Sequence, residues 1–117
     1  MIRLVKPVAG QGSFPALCVA RGWPEPVAEF QFAPPRRWRF DWAFHGFTVL
    51  PYHGAEMNIA IEINGGLFIG GRHVSGAALL KEYEKLRYAA RLGYRVLIYT
   101  PEQFASGDVF ADLEAME

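Results

Sequence analysis

Asp41, in the stretch RRWRFDWAF, and Glu62, in NIAIEING, are each flanked by large apolar residues at odd offsets. Successive side chains of a strand project to opposite faces, so each carboxylate leaves from the polar side of a strand whose other side is committed to a core. If the two strands are neighbours, the carboxylates can share one hard divalent cation. The backbone carbonyl of Ile63 would add a third oxygen and water would complete an octahedron, a donor set that suits Mg²⁺ or Mn²⁺. Glu29, on the preceding strand or at its edge, is a candidate fourth oxygen. Asn64, two residues past Glu62, is aimed at the same region. Glu82 and Lys85 sit three apart on the flank of a helical stripe, where a long side chain can bend over a sheet, whereas Lys81 points further towards solvent.

Arg36, Arg37 and Arg39 lie beside this pair, and guanidinium forks suit phosphate. Trp38, Phe40 and Trp42 have the parity opposite to that of Arg37, Arg39 and Asp41, which reads as core rather than as a surface for stacking bases. His73 lies in a glycine-rich setting that permits close approach of the backbone to a ligand. His45 and His53 read as incidental. Three histidines without zinc spacing and one cysteine, Cys18, make a structural zinc site improbable, and no internal disulfide can form. The apolar surroundings of Cys18 suggest a reduced, buried thiol in a cytosolic setting.

The elements that must position these groups follow from period and punctuation. Residues 1–12 mix Pro7, Gly10 and Gly12 without a sustained period and read as an N-terminal arm. Ser13 is a plausible N-cap for a helix that carries Pro15 in its first turn and ends at Gly22. VAEFQF, RRWRFDWAF and NIAIEING alternate as strands, the last on Ile59, Ile61 and Ile63. The segment between the second and third reads as a loop or hairpin extension, and LFIGGRHVSG as a glycine-rich turn region. A helix spans about residues 77–92, with an apolar stripe of Leu79, Tyr83, Leu86 and Ala90. YRVLIYT is a buried strand, and Pro101 opens a final helix weakened by Ser106 and Gly107.

The order αβββαβα, with residues 13–117 as one domain, predicts an α/β mixed sheet flanked by helices. A length of 117 residues and a hydrophobic fraction of 51% suffice for one core. The 12 Lys+Arg balance the 12 Asp+Glu, so binding to a charged partner must rest on local clustering. No run approaches a membrane span and the start lacks a signal-peptide core, which points to a cytoplasmic protein without a membrane partner.

Taken together, PEPVAEFQF, RRWRFDWAF, IAIEINGG, GGRH and EYEKLRYAARLGYRVLIYTPEQ resemble the small nucleases of the PD-(D/E)XK superfamily found in phages, including phage-type Holliday junction resolvases. The similarity covers roughly residues 23 to 104. It implies a restriction-endonuclease-like fold and a Mg²⁺- or Mn²⁺-dependent endonuclease, with Asp41 and Glu62 as metal carboxylates and Glu29 helping to complete the site. The superfamily lysine would stand two residues after Glu62, where this chain has Asn64. Related small nucleases carry a lysine on the following helix, which implies Lys85 in that role, with Lys81 as the second choice. The segment between Asp41 and Glu62 is longer than in compact relatives. Its FTVLPYHGAEM could be a strand extension, a dimer contact or a substrate-facing hairpin.

By the same resemblance the substrate is DNA, most of all a four-way junction, cut by a homodimer. Arg36, Arg37 and Arg39 would hold the strand, and Arg72 and His73 would contact the flanking backbone. A phage protein acting in the host cytoplasm fits this picture. Three rivals stand beside it: a Vsr-like or restriction-type duplex endonuclease, a non-catalytic DNA-binding module on a degenerate nuclease fold, and a domain that packs against protein through its aromatics.

Overall fold

A computed structural model describes residues 13–49, 54–63, 68–69, 72–73 and 75–117. The expected arm, residues 1–12, lies outside them. The elements run α1 (Phe14–Ala20), β1 (Val27–Gln31), β2 (Arg39–Val49), β3 (Ala55–Ile63), β4 (Phe68–Ile69), β5 (Arg72–His73), α2 (Gly76–Arg91), β6 (Tyr94–Tyr99), α3 (Pro101–Ala105) and α4 (Asp108–Met116). β1, β2, β3 and β6 form one sheet in that spatial order. The first three are antiparallel neighbours, and β6 runs parallel to β3. A parallel neighbour requires a crossover, which α2 supplies. Phe68 and Ile69 pair with His73 and Arg72 in a separate two-stranded ladder.

Alternation along β3 divides the interior. Ile59 and Ile61, both fully buried, pack with Phe14 and Cys18 of α1, Phe104 of α3, and Val109, Phe110 and Leu113 of α4. Each such isoleucine contributes roughly 1.5–3 kcal/mol relative to exposure. Ala60, between them, belongs to a second cluster with Phe32, Phe40 and Ala89 of α2. The sheet is therefore covered by α2 on one face and by α1, α3 and α4 on the other. Glu62 has the parity of Ala60, which puts it under α2.

Five local expectations are revised. YRVLIYT, expected as a buried strand, is an edge strand, β6, half-buried over most of its length and with Ile98 exposed. Phe40 and Trp42 do not share a face: Phe40 packs in the α2 cluster and Trp42 in the opposite one. The β1–β2 ladder pairs Ala28 with Trp42 and Phe30 with Phe40, skipping the Glu29–Asp41 step. Glu29 takes a φ of +50°, a left-handed conformation that breaks regular strand geometry. Strict alternation fails at this point, and Phe40 and Asp41, neighbours in sequence, both turn towards α2.

The segment between Asp41 and Glu62 is a strand extension, one of the alternatives expected of it. β2 continues to Val49 and β3 begins at Ala55, with a register shift between Phe44 and Phe47, while residues 50–53 lie outside the described set. On α2, Tyr83 and Ala90 are exposed and the buried positions are Lys85 and Ala89, so the inward stripe is rotated from the one expected. The final helix divides at Ser106 and Gly107, where Gly107 adopts a φ of +87° that a side chain rarely tolerates. Ser13 precedes α1 as expected but makes no side-chain capping bond.

Candidate active site

The Asp41 side chain is fixed by the sheet itself. Its Oδ2 accepts a hydrogen bond of 2.8 Å from the backbone N–H of Ile63 across the β2–β3 pair. That bond sets Asp41 beside Glu62, the residue before Ile63. Glu62 is 6% exposed, and its Oε1 accepts a 3.1 Å hydrogen bond from Lys85 Nζ, itself 8% exposed. Lys85 thus reaches down from α2 as a bent long side chain, and its ammonium also lies 4.8 Å from the centre of the Phe40 ring. The out-of-alternation turn of Phe40 supplies an aromatic face under that cation.

Burial pushes the Glu62 carboxyl above its ordinary range. The Lys85 ammonium opposes this, and the charges of Glu82 and Asp41 add to the rise. Two carboxylates close enough to affect one another, with one desolvated, form a site where added positive charge is stabilising.

Asp41, Glu62, Ile63 and Lys85 line one cleft of about 510 Å³, together with Arg37, Trp38, Arg39, Ala78, Lys81 and Glu82. Arg39 stands at its rim, more than half exposed and ion-paired with Glu29. Its pKa is raised first by the hydrogen bond to Glu29, then by the Glu29 charge, with further contributions from Asp41 and Glu62. Arg37 and Lys81 have no ion-pair partner among the described residues, while Arg36 pairs with Glu84 at 3.3 Å.

The structure brings together Asp41, Glu62, Lys85, Ile63, Lys81, Arg37 and Arg39. Glu29 stands on the exposed edge strand, bound to Arg39, and does not line the cleft. Arg36 lines an adjoining groove that shares Arg37, Trp38 and Lys81 with the cleft. Asn64 lies outside the described residues. Arg72 and His73 form β5, and their side chains are likewise outside the description. Trp38, expected in the core, packs half-buried against the α2-side core and also lines both the cleft and the groove. It precedes the first ladder residue, Arg39, so strand alternation never applied to it. Its position between Arg37 and Arg39 was the available signal.

The zero net charge conceals a separation. Residues 96–117 carry five acidic side chains and no Lys or Arg, whereas α2 carries four cations and two carboxylates. On α2, which covers the cleft side of the sheet, cations outnumber acids, whereas α3 and α4 carry acids and no Lys or Arg.

Among the described residues no group of three or more His, Cys, Asp or Glu side chains is gathered to hold a metal ion. The donor set that does converge is two carboxylates of adjacent strands, with the main chain of Ile63 at the same cleft. These are hard oxygen donors, and burial keeps the Glu62 carboxyl above its ordinary range even with the Lys85 ammonium beside it. The residues fit a Mg²⁺- or Mn²⁺-type ion bound through one or two carboxylates and water. No family model, no curated protein and no solved structure matches this chain.

Proposed function

We propose that this cleft hydrolyses DNA phosphodiesters with a divalent ion held by Asp41, Glu62 and the Ile63 carbonyl. A bound Mg²⁺ or Mn²⁺ supplies Lewis acidity and an acidified water. The observation that carries the reading is the convergence, in one cleft on the α2 side of the sheet, of Asp41, Glu62 and Lys85. Asp41, clamped by the Ile63 N–H, keeps its second carboxylate oxygen directed by the fold rather than by a free side chain. Lys85 holds Glu62 in place and presents an ammonium that can neutralise charge building on a scissile phosphate. Arg37, Arg39 and Lys81 grip flanking phosphates without reading bases, with Arg36 beside them, and Arg72, His73 and Asn64 are further candidates for contact with the DNA.

The finer reading is a junction-resolving endonuclease acting as a homodimer, because symmetric cuts on two strands require two active sites. Labelled four-way junction and linear duplex, incubated at matched salt with Mg²⁺, Mn²⁺ or EDTA, test it. Paired symmetric nicks on the junction that vanish with EDTA and with Glu62→Ala are expected. Equal cutting of linear duplex would favour a Vsr-like or restriction-type enzyme instead.

A second reading has its own observation. Lys85 is bonded to Glu62 and Arg39 to Glu29, so much of the site's charge is compensated internally, as in a DNA-binding module built on a degenerate nuclease fold. Salt-dependent DNA binding without cleavage in any divalent metal would select it.

A further inference from the structure

The Arg36 guanidinium lies 4.2 Å from the centre of the Trp38 ring, and 5.9 Å from that of Tyr88. Trp38 is also 5.6 Å from Tyr88, edge to face, and stacks in parallel with Phe32 at 6.1 Å. The ring is thus held rigidly by aromatics, at the junction of the cleft with the adjoining groove. Its cover is held differently. Arg36 is about half exposed, and its ion-pair partner Glu84 is equally so, an arrangement that adds little to stability and is easily exchanged for another partner. Arg37 and Lys81, without ion-pair partners among the described residues, line both the cleft and the groove.

We propose that Trp38 is a stacking platform for one unpaired base of a DNA strand crossing this cleft, and that Arg36 is its displaceable cover. When the base takes the ring, the guanidinium turns to a phosphate, joining Arg37 and Lys81 along the strand. An aromatic face and a row of cations is the combination that binds single strands irrespective of sequence, since every base offers a π-face and every nucleotide a phosphate. A base inside closed duplex has both faces occupied by its neighbours and offers none to Trp38. The substrate class is therefore DNA with an unpaired or unstacked nucleotide beside the cut phosphate, as in a flap, a frayed end or the open centre of a branched molecule. The inference rests on the nuclease reading only for where the cut phosphate lies.

The chain has three tryptophans. Trp23 and Trp42 are 6% and 4% exposed, which leaves Trp38 as the one able to report on a stacked base. The test titrates the protein, in EDTA and low salt, with an oligo-dT of about a dozen nucleotides and with a blunt hairpin duplex of equal phosphate number whose loop is a non-nucleotide linker, so that it holds no unpaired base. Oligo-dT is expected to quench tryptophan emission and the hairpin to bind without quenching. Trp38→Ala is expected to weaken oligo-dT binding about tenfold and hairpin binding less than about twofold, while Trp38→Phe retains most of the oligo-dT affinity. The wild-type quench and the Trp38→Phe affinity need no contribution from the alanine variant, which removes a partner of Phe32 and Tyr88.

Oligo-dT binding without a quench, or equal losses on both ligands in Trp38→Ala, overturns the proposal. Cleavage of a branched oligonucleotide in Mg²⁺ is measured in parallel. If it occurs without the quench, the platform falls and the nuclease reading stands. If the quench and the selective loss hold without any metal-dependent cleavage, the platform stands and the nuclease reading falls.

Discussion

Replacing Lys85 by methionine keeps an unbranched side chain of similar reach but withdraws the ammonium bonded to Glu62. At 3.1 Å and an effective dielectric of about 20, the gross attraction between the two charges is about 5 kcal/mol. Several kcal/mol of desolvation per ion oppose it, so the intact pair is close to neutral for stability. The single variant is different, because it leaves a carboxylate buried without this partner, at a cost of about 3–5 kcal/mol. For a domain of this size that is a fall in Tm of roughly 12–20 °C. Urea unfolding in EDTA measures it directly.

The pH dependence of Lys85→Met has a definite sign. Burial already holds the folded pKa of Glu62 above its ordinary value, and loss of Lys85 raises it further. A carboxyl raised on folding contributes stability that is fully present below its unfolded pKa and is lost as pH rises through the folded one. The deficit of Lys85→Met is therefore largest near neutrality and shrinks as pH is lowered to about 5. The double variant Glu62→Leu, Lys85→Met should regain most of the loss. A single-variant deficit below about 1 kcal/mol that does not change with pH would refute the premise that Glu62 and Lys85 are a desolvated pair.

Arg39→Ala should leave the unfolding midpoint where it is, because both partners of the Glu29 pair are more than half exposed. The same variant should reduce the salt dependence of DNA binding by about one phosphate contact, read as the slope of log K against log salt. Thr100→Ala removes half of the capping box with Gln103 at the start of α3 and should cost about 1 kcal/mol in a urea titration. The Cys18 thiol, fully buried, has its pKa pushed up by desolvation to about 12. A thiol reagent at about pH 8 should leave it unmodified in the native protein and modify it only on unfolding; prompt native reaction would contradict its placement against Phe14 and Phe44.

How much of this was legible in the chain depended on whether a signal was local. The alternation of Ile59, Ile61 and Ile63 marked β3 and with it the orientation of Glu62, because strand parity is a property of neighbours in sequence. By sequence Lys85 flanks an apolar stripe, and it is instead a buried position of α2 itself. The break at Phe40 and Asp41 was not legible, since it depends on the backbone of Glu29 in a different strand. The rotated face of α2 was equally hidden: Lys85 is buried because Glu62 and Phe40 await it, while Tyr83, more apolar by type, faces outward. Pairing across Val49 and Ala55 extended two strands through a segment whose glycines and proline read locally as loop.

As proposed, Asp41 and Glu62 together form the metal-binding centre of a DNA-hydrolysing cleft. Asp41→Asn tests it most directly, because an amide oxygen can still accept the Ile63 N–H bond while the carboxylate charge is lost. Mg²⁺-dependent nicking of a labelled four-way junction should fall at least about a hundredfold in this variant, with the fold and the salt-dependent DNA affinity retained. Nicking at the wild-type rate by Asp41→Asn would contradict the account.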